Sequence, residues 1–146
     1  MILIAGLPHV AAPGELAGFE ADAVELTTEE RRRPRRRVVT RAGRVFTLAL
    51  PPGDSLVPGR VLYVGPGWYV TVEAAPEALL AIRPRTAREG LRVALEVGRL
   101  HAALAVADGR LLVPDEPAVE RLLERLHVPW VRAWEPFLPV ASGSPH

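Results

Sequence analysis

The chain has 146 residues, 49% of them apolar and 24% charged, and its 18 basic and 17 acidic side chains leave a net charge of +1. This is the composition of a folded protein of one ordinary domain or two small ones, and a charge so near zero gives little long-range attraction for nucleic acid. There is no cysteine and every basic side chain is arginine; with lysine, asparagine and glutamine also missing, disulfides, thiolate metal sites, Schiff-base amines and side-chain amides for an oxyanion hole are all excluded.

No apolar run reaches the roughly 18 to 20 residues of a membrane span, and the short apolar start lacks a basic lead and soon meets Pro8 and His9, so a cytoplasmic protein without membrane contact is expected. The first twenty-five residues or so show no clear period and read as irregular. Strands follow over 35–40 and 44–50, joined by a turn at Ala42 and Gly43, with Phe46, Leu48 and Leu50 on one face. Turn signals at Pro51-Pro52-Gly53-Asp54 and Val57-Pro58-Gly59 precede strands over 61–64 and 68–72, which Gly65-Pro66-Gly67 separates. Residues 1–75 are therefore expected to form an all-β domain, a small barrel or two packed sheets.

The period changes after Ala74 to Pro76. A strand over 79–82 is followed by a helix that Thr86 opens, with Glu89 completing a capping box and Leu91, Ala94, Leu95 and Gly98 as its apolar stripe. Strands over 102–107 and 110–113 flank Asp108-Gly109, a type I′ hairpin signal. Asp115 is expected to cap a second helix with Pro117 in its first turn and Val119, Leu122, Leu123 and Leu126 on its buried face, before a last strand over 131–138. The order βαββαβ predicts a ferredoxin-like domain over 76–146.

Few residues carry distinctive chemistry. Without cysteine, a metal would be held by imidazole, carboxylate, backbone or water, a set that suits nickel or zinc, and the histidines are His9, His101, His127 and His146. His101 ends the first helix of the second half, where a cation also simply complements the helix dipole, and His127 reads as a helix cap, His9 as a loop residue. The run 31–37 holds six arginines, read as a solvated turn paired with Glu25, Glu29 and Glu30 or as a protein contact rather than a nucleic-acid site. Trp68 and Tyr69 offer an apolar contact for a rival reading, a metal-independent peptide-binding or assembly module acting through the β domain. An acylphosphatase-like enzyme would need an asparagine that the chain lacks, and no Ser-His-Asp spacing, phosphate-binding glycine loop or HExxH helix is present, so no catalytic residue is assigned.

An ordered set of segments resembles the urease accessory protein UreE family. These are Glu25-Leu26-Thr27-Thr28-Glu29-Glu30-Arg31, Thr40-Arg41-Ala42-Gly43-Arg44, Leu48-Ala49-Leu50-Pro51, 56–63 with Gly59 and Leu62-Tyr63, and Val72-Glu73-Ala74-Ala75-Pro76-Glu77. They continue through Val97-Gly98-Arg99-Leu100-His101 and Phe137-Leu138-Pro139, so the resemblance spans most of the chain.

The resemblance implies a nickel metallochaperone that delivers Ni(II) to apo-urease, with a peptide-binding-like N-terminal domain and a C-terminal domain that dimerises and binds metal. It implies Ni(II) as the bound ion, with Zn(II) or Cu(II) able to substitute in vitro, and a homodimer, or a tetramer around metal. The urease apoprotein and the urease accessory GTPase are the implied partners. The family's helix-end motif is usually Leu-Gly-Asn-Arg-His, and its histidine bridges the two-fold axis; here that position is His101, while Val97, Arg99 and Leu100 depart from the pattern. Relatives often end in histidine-bearing tails, which makes His146 the second expected ligand. An imidazole shared with its own copy doubles the ligand count without another motif, and a protonated imidazole releases metal.

Overall fold

The computed structural model describes residues 2–9, 13–33, 35–52 and 56–140. The chain divides into two compact units, Met1–Ala75 and Pro76–His146. The first contains strands β1 (Ile2–Ile4), β2 (Glu20–Leu26), β3 (Arg35–Val39), β4 (Val45–Ala49), β5 (Val61–Gly65) and β6 (Trp68–Ala74), together with a 3₁₀ turn at Pro13–Leu16 and the one-turn helix α1 (Thr28–Arg31). They form two three-stranded sheets of order β1-β4-β3 and β2-β6-β5. In each, a strand from the start of the chain runs parallel to the central strand, and the third strand runs antiparallel to it.

The start of the chain is thus not the irregular lead that its sequence suggested. β1 is too short for alternation to register, and β2 hides its period because an acid, Asp22, is buried beside Ala23 and Val24. The alternation of β4 reads as expected: Phe46 and Leu48 point inward, joined by Leu50 just beyond the strand, and meet Val24, Leu26, Leu62, Val70 and Val72 from the other sheet in one core. An unexpected capping box also forms at Thr27 and Glu30, although the sequence shows its Thr-x-x-Glu spacing. The Thr27 hydroxyl accepts from the Glu30 amide at 3.3 Å and the Glu30 carboxylate accepts from the Thr27 amide at 2.9 Å, which ends β2 in a tight helical turn.

The second unit has the expected order: β7 (Pro76–Ile82), α2 (Ala87–Arg99), β8 (Ala105–Ala107), β9 (Arg110–Pro114), α3 (Pro117–Leu126) and β10 (Trp130–Pro136). The strands form one antiparallel sheet of order β10-β7-β9-β8, the ferredoxin-like arrangement. Asp108 and Gly109 both have positive φ, 52° and 73°, as a type I′ turn requires. Val93 and Val97 of α2 and Val119, Leu122 and Leu123 of α3 pack with Leu80, Ile82 and Val113 of the sheet. A second cluster gathers Leu79, Ala81, Ala105 and Leu112 around Phe137, which is 1% exposed, and the Val140 amide donates to the Leu104 carbonyl at 2.7 Å.

Three local expectations are corrected. At the start of α2 the Thr86 hydroxyl does accept from the Glu89 amide, but the Glu89 carboxylate turns to the amide and guanidinium of Arg85, so the box is half made. Glu116, not Asp115, occupies the cap position of α3 and makes no side-chain cap bond; Asp115 instead faces Arg132 at 3.6 Å. The apolar stripe of α2 points the other way: Leu91 and Leu95 are 74% and 58% exposed, while Val93 and Val97 are buried. The helix carries two apolar rows, and periodicity finds a row without saying which one faces the sheet.

Candidate metal centre at the end of α2

α2 ends in a complete Schellman motif. Leu100 keeps helical geometry at φ −81°, His101 turns into the left-handed region at φ 57°, and two reversed hydrogen bonds close the end. The His101 amide donates to the Gly98 carbonyl at 3.0 Å and the Ala102 amide to the Val97 carbonyl at 3.3 Å. Ala102 then packs against the cluster that contains Val97, the apolar contact that accompanies this motif. Glycine is the usual residue at such a position because a Cβ strains it; here histidine occupies it, with its side chain exposed.

α3 ends in the same way. His127 has φ 54°, its amide donates to the Glu124 carbonyl at 3.1 Å, and the Val128 amide reaches the Leu123 carbonyl at 3.5 Å. The Arg85 guanidinium donates to the His127 carbonyl at 3.1 Å. His127 is therefore a helix-closing residue, as its sequence position suggested, and His9 is an exposed residue outside any element.

The surroundings of the two helix ends differ. Along α2, Leu91 and Leu95 are exposed, as is Leu100 at its end, and a Cβ built on Gly98 would meet nothing within 4 Å among the described residues. Arg99 pairs with Glu96 at 3.1 Å, a bond along the exposed helix. Among the described residues no three histidine, aspartate or glutamate side chains gather into a metal-ligating group, so the described part of one chain does not make a complete site. His146 lies outside the described residues.

The remaining sequence candidates resolve into structure. Trp68 and Tyr69 are half-buried; the Trp68 ring stands 5.4 Å from Tyr63 and 6.2 Å from Phe46, with the Arg44 guanidinium 4.1 Å above it. Of the arginine run, Arg31 is buried and donates to the Leu26 carbonyl at 2.7 Å, Arg33 pairs with Glu29, and Arg36 pairs with Glu30 at 3.0 Å. Glu25 pairs instead with Arg41, which also bonds Glu73.

One polar centre escaped the sequence reading. The buried Asp22 carboxylate accepts from the Thr40 hydroxyl at 2.6 Å, the Arg44 guanidinium at 2.8 Å and the amides of Ala23 and Ala42. Burial alone would raise its pKa, but these hydrogen bonds outweigh that and hold it below the ordinary aspartate value. It ties the β3–β4 hairpin to β2 and has no free position for a ligand. Three of its four partners lie about 20 residues away in sequence, which is why no local pattern reveals it.

Residues 4–75 match the UreE urease accessory protein N-terminal domain, and residues 77–146 match the C-terminal domain of the same family. The chain is 41% identical over 114 residues to a urease accessory protein UreE of Deinococcus radiodurans, covering 78% of this chain and 74% of that one. It is 36% identical over 120 residues to one from Synechococcus sp. (strain JA-3-3Ab), covering 82% and 80%, and 32% identical over 135 residues to one from Sinorhizobium fredii, covering 92% and 85%. The chain belongs to the UreE urease accessory protein family. Membership of the UreE family makes it an accessory protein of urease maturation rather than urease itself. The two UreE domain matches fall on the two compact units, the β-sheet unit and the ferredoxin-like one.

Proposed function

We propose that this chain is a cytoplasmic nickel metallochaperone that dimerises through its C-terminal unit and binds Ni(II) through His101 shared with its own copy, for delivery to apo-urease. The observation that carries the reading is the uncovered surface beside His101. Leu91 and Leu95 stand out from α2, and Gly98 follows on the same row one turn later. A glycine inside a helix costs about 0.5–1 kcal/mol relative to alanine, and among the described residues nothing crowds this one. A close-approaching second copy accounts for the glycine and for the apolar row together, and an isologous contact there brings two His101 side chains to one axis.

His146 supplies the second imidazole of each chain. Val140 is tied to Leu104, three residues from His101, and the six residues from Val140 to His146 extend to roughly 20 Å, ample to return to the helix end. Four imidazoles from two chains suit nickel, with zinc or copper able to take the same donors in vitro. The accessory GTPase and apo-urease are the partners this role requires. The rival, a metal-independent peptide module acting through Trp68, lacks support because that ring stacks within its own unit.

The test is calorimetric titration of Ni(II) into the wild type, His101→Ala and His146→Ala near neutral pH, with light scattering for oligomeric state. Saturation below one metal per chain in a dimer or tetramer, abolished in His101→Ala and weakened in His146→Ala, supports the reading. Unchanged binding in His101→Ala returns that residue to a purely structural role.

A further inference from the structure

The segment 29–37 concentrates charge. Its six arginines and two glutamates give it +4, so the rest of the chain carries −3. Arg31, Arg33 and Arg36 have partners, whereas among the described residues no carboxylate lies within ion-pair distance of Arg32, Arg35 or Arg37. Arg35 and Arg37 sit on β3, an edge strand that pairs only with β4.

The register fixes which groups of that edge are open. The Thr40 amide donates to the Arg44 carbonyl across the hairpin at 2.8 Å, so Val38 and Arg36 turn their main chains toward β4, while Arg35, Arg37 and Val39 turn theirs away. The next outward amide, that of Arg41, donates to the Ala23 carbonyl of β2 at 2.8 Å. From Arg35 to Val39 the outward row makes no main-chain hydrogen bond among the described residues. The side chains of the same three residues are exposed on one face, with Leu3 two strands away in register with Arg37 through Thr47.

We propose that the outer edge of β3 receives an extended acidic segment of a partner protein as an added strand. Its main chain pairs with Arg35, Arg37 and Val39, and its carboxylates meet the Arg35 and Arg37 guanidiniums. A second copy of the chain is disfavoured, because antiparallel pairing of two β3 edges sets Arg37 against Arg37. RNA fits less well: phosphate oxygens accept from guanidinium but donate nothing to the outward carbonyls, and β3 carries no aromatic side chain for a base to stack on.

The test uses the full chain and a fluorescein-labelled peptide alternating glutamate and valine, followed by fluorescence anisotropy. Saturable binding is expected, weakened about tenfold or more by Arg35→Glu with Arg37→Glu. The same charge change on α3, Arg121→Glu with Arg125→Glu, should leave binding intact, and circular dichroism checks that both variants fold. Methylating alternate peptide nitrogens should abolish binding, and hydrogen exchange should slow at the amides of Arg35, Arg37 and Val39 in the complex. The proposal is overturned if the acidic peptide does not bind, if the α3 reversal weakens it equally, if the methylated peptide binds as well, or if an oligouridylate binds this edge more tightly.

Discussion

Replacing His101 with glycine should make the metal-free protein more stable while abolishing the proposed metal binding. At φ 57° the residue sits where an L-amino acid costs roughly 1–2 kcal/mol, a strain that glycine does not feel. Glycine's wider freedom in the unfolded chain takes back about 0.5–1 kcal/mol, which at the middle of both ranges leaves a net gain of about 0.5–1 kcal/mol. For a unit the size of Pro76–His146 that corresponds to a rise in Tm of about 2–8 °C. His127, at φ 54° in the same motif, should give the same gain and serves as the internal control. The assay is differential scanning calorimetry in the presence of chelator, with the two variants and the wild type in the same buffer. Ni(II) added at about 100 times its dissociation constant should then stabilise the wild type and His127→Gly by about 2.7 kcal/mol, but not His101→Gly. If His101→Gly lowers the metal-free Tm while His127→Gly raises it, the His101 side chain makes a stabilising contact of its own and the trade of stability for metal binding is refuted.

Four further substitutions test the same structure. Leu95→Glu, at a 58% exposed position, should leave helix content unchanged but convert the protein to monomers in light scattering, and Gly98→Ala should raise monomer stability by about 0.5–1 kcal/mol while weakening self-association. Asp22→Asn should destabilise the first unit by about 2–4 kcal/mol in denaturant titrations, since it removes charge-assisted bonds to Thr40 and Arg44 and leaves Arg44 only the exposed Glu20 at 3.5 Å. Because the folded Asp22 pKa lies below the unfolded value of about 3.9, that difference should hold above pH 4 and shrink as pH falls through the folded value; a gap that widened on acidification would contradict it. Thr27→Ala should cost about 1 kcal/mol through loss of the capping box at α1, read as a lower denaturation midpoint.

What was legible in the sequence was what local periodicity and turn chemistry encode. The Asp108-Gly109 hairpin, the buried row of α3 and the β4 alternation came out as read, because each depends on neighbours a few residues apart. The direction of the α2 stripe, the β2 strand with its buried Asp22 and the half-made box at Thr86 did not. Each depends on a partner distant in sequence or on a competing one next door: Thr40 and Arg44 for Asp22, Arg85 for Glu89. A sequence says that two apolar rows share a helix, but only the sheet beneath it decides which row is left over.

That leftover row separates the two histidines. Backbone strain alone cannot mark His101 as a ligand, because His127 carries the same left-handed geometry and the same pair of reversed hydrogen bonds. At His127 the motif is absorbed into its own unit: Val128 is buried in the core and the carbonyl is held by Arg85. At His101 the residue after the motif, Ala102, is only partly buried, Leu95 and Gly98 lie exposed on one row of the preceding helix, and the Leu104 carbonyl accepts from the Val140 amide. A tight helix stop that leaves an imidazole outside, beside a helix row that the described residues do not cover, suits a ligand completed by association. A site of that kind, as proposed, is lost as soon as the shared contact opens, the lability that metal delivery requires.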